Sequence, residues 1–435
     1  MVIIDGNESF PLFTVIIPVK NRGNYLYQTL HTCMIQNYPN FEVIVSDDAS
    51  TDNTFEVVNK AMQLDKRIFY YSHPEGIGMR DNFEFALKQV KPGYVIALGG
   101  DDGLLPDGIT GMYKVLRETG MELLTWPSPI YTFPEVIGSN GQLILYHNKG
   151  IKIVDSQEFL SRQSKNLGYL NDIECPMFYG KSVVSTELVN RVCSRSVDGR
   201  FYSCPTPDGY SGIVLAGEVT KFAFSGEPFA IFGTSPQSQG MAYLSNEDKA
   251  KKESESFFRY VSLKPMHKEL ASQPYSPLIT LMTVDYLLTA KDLPGWPGRF
   301  PEINYKNVLQ RAIKELSLGV YGKDRLNREL QILKNIAILH REEKFFIKKV
   351  QKAKRNISVN YFNGSGISPK VFYLDGKELD IHSIIEAAYA AKYIYKLYSK
   401  ISLTNLFVIS VRSLQYFVVR LKKGEKFPDE SEWNK

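Results

Sequence analysis

Two pairs of adjacent carboxylates, Asp47-Asp48 and Asp101-Asp102, follow closely on apolar runs, Phe41-Glu-Val-Ile-Val-Ser46 and Tyr94-Val-Ile-Ala-Leu98. Paired carboxylates on one rim suit a divalent cation or the polar edge of a nucleotide, and Mg²⁺ and Mn²⁺ prefer such hard oxygen ligands. Asp is also a good turn-former and helix cap, which explains one such pair by itself. Two pairs at equivalent rims of one sheet are harder to explain that way. A third polar cluster, Lys20-Asn21-Arg22, follows the run Phe13-Thr-Val-Ile-Ile-Pro-Val19.

The elements that must position these clusters alternate. Helical spacing over 25–36, 54–64 and 81–89 separates strand-like runs at 13–19, 41–46, 67–71 and 94–98. Such alternation specifies a mainly parallel sheet covered by helices, whose ligand crevice lies beyond the carboxyl ends of the strands. All three polar clusters fall there. After residue 120 the pattern is mixed, with β-like runs near 123, 142–146 and 229–232 and helices expected over 156–163 and 185–192. From about 246 it turns helical, with helices predicted over 278–293, 305–316 and 323–352 around the breaker Pro294-Gly-Trp-Pro-Gly298.

The chain has 435 residues, 43% of them apolar and 23% charged, with 25 Phe and 26 Tyr, enough for large cores and unlike a disordered chain. A net charge of +5 is too mild for a nucleic-acid binder of this size. Four cysteines without a CxxC pair suggest a reducing compartment and no zinc site. The N-terminus lacks a signal-peptide pattern, and no stretch of about 18 apolar residues predicts a membrane span.

Read together, Phe13-Thr-Val-Ile-Ile-Pro-Val-Lys-Asn-Arg22, Gln36-Asn-Tyr-Pro-Asn-Phe-Glu-Val-Ile-Val-Ser-Asp-Asp-Ala-Ser-Thr-Asp-Asn-Thr54 and Tyr94-Val-Ile-Ala-Leu-Gly-Gly-Asp-Asp-Gly-Leu-Leu-Pro106 resemble glycosyltransferase family 2. The resemblance is strong over 11–110, weaker to about 240 and absent beyond. It implies an inverting enzyme with the GT-A fold, a Rossmann-like α/β sheet with flanking helices. The implied catalytic domain is 1–245, with a nucleotide-binding half at 11–120 and an acceptor half at 121–245, followed by an α-rich domain at 246–435. By the same resemblance Asp48 contacts the nucleotide base with Asp47 beside it, and Pro18 and Asn21 lie along the nucleoside. Asp52 matches the last acid of the Asp48 motif, although capping the following helix suits it better. Arg80 and Asn82 match a segment flanking the sugar nucleotide, where Arg80 pairs either with phosphate or with a surface acid. Asp101 matches the second acid of an Asp-x-Asp metal motif, with Asp102 next to it and Gly100 before it. The first acid of that motif is Gly99 here, a departure from the family pattern.

The implied donor is a nucleoside-diphosphate sugar held with Mg²⁺ or Mn²⁺. The implied acceptor is a hydroxyl of a saccharide or lipid-linked saccharide in cell-surface polysaccharide synthesis. An inverting transfer needs a base for the acceptor proton. The family places an acid at the start of a helix in the second half of the domain, where Asp208 in Ser203-Cys-Pro-Thr-Pro-Asp208 stands, with Asp172 and Glu174 as competitors. The Gly/Ser-rich stretch after Phe229 is either a phosphate- or acceptor-binding loop or a connector. A sugar-phosphate nucleotidyltransferase and a binding-only relative remain as alternatives; the first would want a better phosphate loop than Pro18-Val-Lys-Asn-Arg-Gly23.

Residues 392–426 carry +7, leaving −2 for the rest of the chain. With apolar residues at helical spacing over 402–423, the segment reads either as an interfacial helix on an anionic membrane or as a packed helix with a basic edge. The first reading makes this a cytoplasmic protein held peripherally at the membrane.

Overall fold

The computed structural model describes residues 10–136, 139–238, 264–318, 323–353, 365–367 and 371–400. Its strands are β1 (Phe13–Val19), β2 (Phe41–Asp47), β3 (Ile68–Ser72), β4 (Tyr94–Ala97), β5 (Gly103–Leu104), β6 (Leu123–Thr125), β7 (Ile130–Thr132), β8 (Gln142–Tyr146), β9 (Ile151–Asp155), β10 (Ser182–Ser185), β11 (Lys221–Ser225), β12 (Ala230–Thr234), β13 (Gly366–Ile367) and β14 (Val371–Asp375). Its helices are α1 (Gly23–Met34), α2 (Thr54–Leu64), α3 (Met79–Lys88), α4 (Gly108–Thr119), α5 (Ser156–Asn166), α6 (Thr186–Arg195), α7 (Asp208–Glu218), α8 (Ile279–Lys291), α9 (Tyr305–Leu318), α10 (Lys323–Leu339), α11 (Glu343–Lys352), α12 (Gly376–Leu379) and α13 (Ile384–Lys400).

The larger sheet runs β3-β2-β1-β4-β10-β6-β11-β9. Every residue of β1 and β2 is buried, as expected for strands covered on both faces. Ile16 and Ile44 enter the core on one face, whereas Val15, Ile17, Val43 and Val45 enter the core on the other. The strands from β3 to β4 pair in parallel, and β10 then joins β4 and β6 antiparallel. The wholly parallel stretch is therefore β3-β2-β1-β4, and beyond it antiparallel pairs mix with the parallel pairs β6-β11 and β7-β12. A smaller sheet, β13-β14-β8-β7-β12-β5, flanks it.

The α/β class with a helical C-terminal region is the one the resemblance implied. In that region α8 is buried on nearly all sides because it packs against α7 on one side and α9 on the other. Trp296, from the breaker segment, donates its indole N–H to the Val214 carbonyl at 3.1 Å and covers Gly217, where any larger residue would collide with its ring. This packing fixes α7, the helix that begins with Asp208.

Two expectations are revised. The helix predicted over 323–352 is two helices, α10 and α11. Arg341 adopts φ 59° between them, its N–H donating to the Ile338 carbonyl at 3.1 Å while Glu342 N–H donates to Ala337 at 2.7 Å. That is a Schellman ending built on Arg instead of the usual Gly, so no residue type announces it. The second concerns the stretch 246–435, which is not wholly a helical unit. β14 pairs antiparallel with β8, and Ile384, Ala388, Ala391 and Ile394 of α13 share a core with Leu105, Tyr131 and Ile231. Residues 371–400 thus return to the first part of the chain. Lys392, the start of the basic segment, is ion-paired there with Glu227 at 2.7 Å. Residues 402–423 lie outside the described residues.

Candidate active site

The three polar clusters meet at one edge because β1, β2 and β4 are parallel neighbours whose carboxyl ends align. Val19 lies opposite Asp47, Asp48 N–H donates to the Val19 carbonyl at 2.9 Å, and Leu98 N–H donates to Ile16 at 2.9 Å. Asn82, from α3, ties the first two ends together. Its amide donates to the Ser46 carbonyl at 2.9 Å and the Val19 carbonyl at 3.4 Å, and its oxygen accepts from Ser46 Oγ at 2.5 Å. These bonds give this buried Asn a structural task beneath the crevice.

The first acidic pair divides its labour. Asp47 accepts from Ser50 N–H at 2.9 Å and Tyr70 O–H at 2.6 Å, which makes it the turn-former of the pair. Asp48 accepts the Ile77 and Gly78 amides at 2.5 and 3.1 Å and pairs with Lys20 at 3.0 Å, drawing the loop before α3 over the end of β2. Asp52 accepts from Thr54 N–H and Gly23 N–H, both at 3.0 Å, the capping task the sequence suggested. Asn21, at φ 53°, accepts from Thr51 N–H at 2.8 Å, while Pro18 sits within β1 opposite Ser46. Arg80 is ion-paired with Asp81 at 2.9 Å, and Arg200 shares that carboxylate at 2.7 Å.

The second pair is also unequal. Asp102 Oδ2 accepts from Gly99 N–H at 2.7 Å and its Oδ1 from Gly233 N–H at 2.9 Å, so both oxygens brace backbone. Burial first, then the adjacent Asp101 charge, push its carboxyl up to about 8. Of the expected metal pair, Asp102 is thus braced by two backbone amides, which leaves Asp101 the better placed of the two to reach a cation. Asp102→Ala should cost about 2–4 kcal/mol by leaving two buried amides unpaired, read as a lower denaturation midpoint at unchanged m-value.

Asp101 directs Oδ2 to the hydroxyls of Ser235 at 2.6 Å and Ser238 at 3.1 Å. Arg22 donates to the Gln237 carbonyl at 2.7 Å and crosses Gly100, whose missing side chain leaves room for it. The Ser-rich loop thus lies across the crevice, bound to one carboxylate and one guanidinium. Among the described residues no three His, Cys, Asp or Glu side chains gather as a metal cage. Asp101 still fits Mg²⁺ or Mn²⁺ in the usual manner of one or two carboxylates completed by substrate phosphates and water.

Asp208 opens α7 as a half-buried residue. Burial raises its carboxyl to about 6, with its own backbone N–H pulling the other way. Its charge acts on Asp102 and Tyr179, which places it beside the Asp101-Asp102 loop. The competing acids are engaged elsewhere. Asp172 accepts from Arg162 at 3.2 Å and Gln163 at 2.9 Å, and Glu174 is held by Lys152 at 2.5 Å and Arg162 at 2.6 Å. Tyr179, which the sequence did not single out, has its hydroxyl beside Gly99. The absence of the expected acid at residue 99 was the signal that something else fills that place.

Residues 14–156 match the family model described as Glycosyl transferase family 2. A glycosyltransferase of Haemophilus influenzae described as uncharacterized is 33% identical over 141 residues, 32% of this chain and 55% of that protein. The putative teichuronic acid biosynthesis glycosyltransferase TuaG of Bacillus subtilis is 31% identical over 108 residues, 25% of this chain and 43% of that one. The chain spans about half the length of these curated relatives. Among solved structures, S. aureus TarS 1-349 in complex with UDP-GlcNAc aligns with TM-score 0.42 at 14% identity, covering 83% of this chain and 98% of that one.

Proposed function

Residues 14–156 are a glycosyl transferase family 2 domain, and from that premise we propose that the whole chain is an inverting transferase moving a sugar from a nucleoside diphosphate to an acceptor hydroxyl. The observation that carries this reading is that Asp208, at the head of α7 with its carboxyl pushed up to about 6 by burial, acts on the Asp101-Asp102 pair that follows β4. Asp101 offers a hard oxygen for a diphosphate-bound cation. Asp208 has a proton affinity suited to a general base near neutral pH.

In this mechanism the acceptor oxygen forms a bond to the anomeric carbon on the face opposite the diphosphate, and the bond from that carbon to the phosphate oxygen breaks. The acceptor proton passes to an Asp208 oxygen, and the nucleoside diphosphate leaves with the electron pair. Asp48 and the loop it draws in line the nucleoside end of the crevice. A Mg²⁺ or Mn²⁺ ion held by Asp101 would offset charge on the departing diphosphate. We assign the acceptor to the saccharides or lipid-linked saccharides of cell-surface polysaccharide synthesis, supported by the similarity to TuaG, a putative teichuronic acid biosynthesis glycosyltransferase. Attachment to an anionic membrane surface is supported by the +7 charge of 392–426; among the described residues no helix is long and apolar enough to cross a membrane.

A hydrolysis screen of nucleotide sugars with and without Mn²⁺ tests the reading. One donor should be consumed, faster with Mn²⁺, releasing nucleoside diphosphate and free sugar. Release of nucleotide triphosphate from donor and pyrophosphate would instead identify a nucleotidyltransferase, and no turnover or binding of any donor would leave a binding-only protein of another kind.

A further inference from the structure

Tyr179 occupies a place in the crevice that the backbone reserves for it. Gly180, at φ 61°, turns the chain immediately after it, with its N–H on the Ala97 carbonyl at 2.7 Å and its own carbonyl accepting from Ser128 Oγ at 2.5 Å. A side chain at 180 would enter the Phe232 ring, so this turn needs glycine. The Tyr179 ring is stacked on Phe232 at 5.9 Å and tilted against Phe83 at 6.0 Å. Packed against both rings, it presents its hydroxyl to one region of the crevice.

That region is the space beside Gly99. A Cβ built there would collide with the Tyr179 hydroxyl and would lie 3.0 Å from Asp102 Oδ2 and 3.3 Å from Asp101 Oδ1. Three oxygens thus converge on a point where residue 99 contributes no side chain. Asp102 is committed to backbone amides and Asp101 to the serines, but the Tyr179 hydroxyl makes no hydrogen bond with any described residue. An O–H in such a place is a donor waiting for an acceptor.

We infer that the Tyr179 hydroxyl donates a hydrogen bond to an oxygen of the bound nucleoside diphosphate, filling with a neutral group the position that Gly99 leaves without a side chain. This rests on the reading of the crevice as a donor site. Burial, followed by the charges of Asp102, Asp101 and Asp208, holds the phenol well above its ordinary pKa, so it remains a proton donor throughout the neutral range. A second carboxylate at residue 99 would add repulsion to a diphosphate. The phenol adds none, and Asp101, whose Oδ1 faces the same point, stays the better placed acid of this cluster for a cation.

Calorimetric titration with UDP, GDP, ADP, CDP and dTDP in Mn²⁺ identifies the diphosphate bound by the wild type. Tyr179→Phe should bind it about 5–10-fold more weakly, the size of one hydrogen bond, with an unchanged melting temperature. Gly99→Asp should bind more weakly still because its side chain meets the phenol, and Gly99→Asp/Tyr179→Phe should recover part of that loss. The penalty in Tyr179→Phe should vanish for the 2′-deoxy analogue if the acceptor is that pentose hydroxyl, and for the monophosphate if it is the terminal phosphate. Equal affinity of wild type and Tyr179→Phe for the diphosphate overturns the inference alone. No binding of any diphosphate by the wild type overturns the donor-site reading and this inference with it.

Discussion

Asp208→Asn should lower sugar transfer by about 10²-fold or more, the usual scale for loss of a positioned base, with donor affinity unchanged. The substitution is nearly isosteric and removes only proton affinity. In the wild type, kcat/KM should rise with pH through about 6, as the carboxyl raised by burial to about 6 becomes ionised. The stability effect has the opposite sense. The ordinary value is 3.8, so the folded protein keeps this proton to higher pH than the unfolded chain does, and stability falls as pH rises from about 4 to about 6. Asn carries no such cost, so the variant should melt no lower than wild type at pH 7. Loss of turnover in a protein at least as stable separates a base from a mere helix cap. Near-normal turnover in Asp208→Asn would show that α7 begins with a cap and nothing more.

Asp101→Asn should abolish the part of diphosphate affinity that depends on Mn²⁺ and lower transfer by at least about 10²-fold, because a cation at the phosphates supplies several kcal/mol of charge stabilisation. The amide retains an oxygen able to accept from Ser235 and Ser238, which hold the carboxylate at 2.6 and 3.1 Å. Folding should therefore survive. Diphosphate titrations with and without Mn²⁺ measure the effect, and an undiminished Mn²⁺ response in the variant would remove Asp101 from the metal's ligands.

What the sequence made legible was local. Fully apolar runs at β1 and β2, with helices between them, specify covered parallel strands, and parallel neighbours bring their terminal loops to one edge. Asp48 and Asp101 could be found in this way. The division of labour inside each acidic pair could not, because it depends on partners far along the chain: Asp102 needs the Gly233 amide and Asp47 the Tyr70 hydroxyl. Tyr179 was hidden for the same reason, since its neighbours Gly99 and Phe232 meet it only in the folded sheet. The return of β14 to β8 unites segments with more than two hundred residues between them, which no periodicity records.

The loop that spans Arg22 and Asp101 gives donor capture the character of an exchange reaction. On the proposed reading, Ser235 and Ser238 donate to Asp101 where a cation would bind, and the Gln237 carbonyl accepts from Arg22 where a diphosphate oxygen would. An arriving donor that uses those groups recovers only the difference between two sets of bonds, so its affinity is set lower than its contacts alone would give. The same exchange works in reverse after transfer. The loop can reclaim Asp101 and Arg22 as the diphosphate departs, competing with the spent nucleotide for its own site and favouring its release.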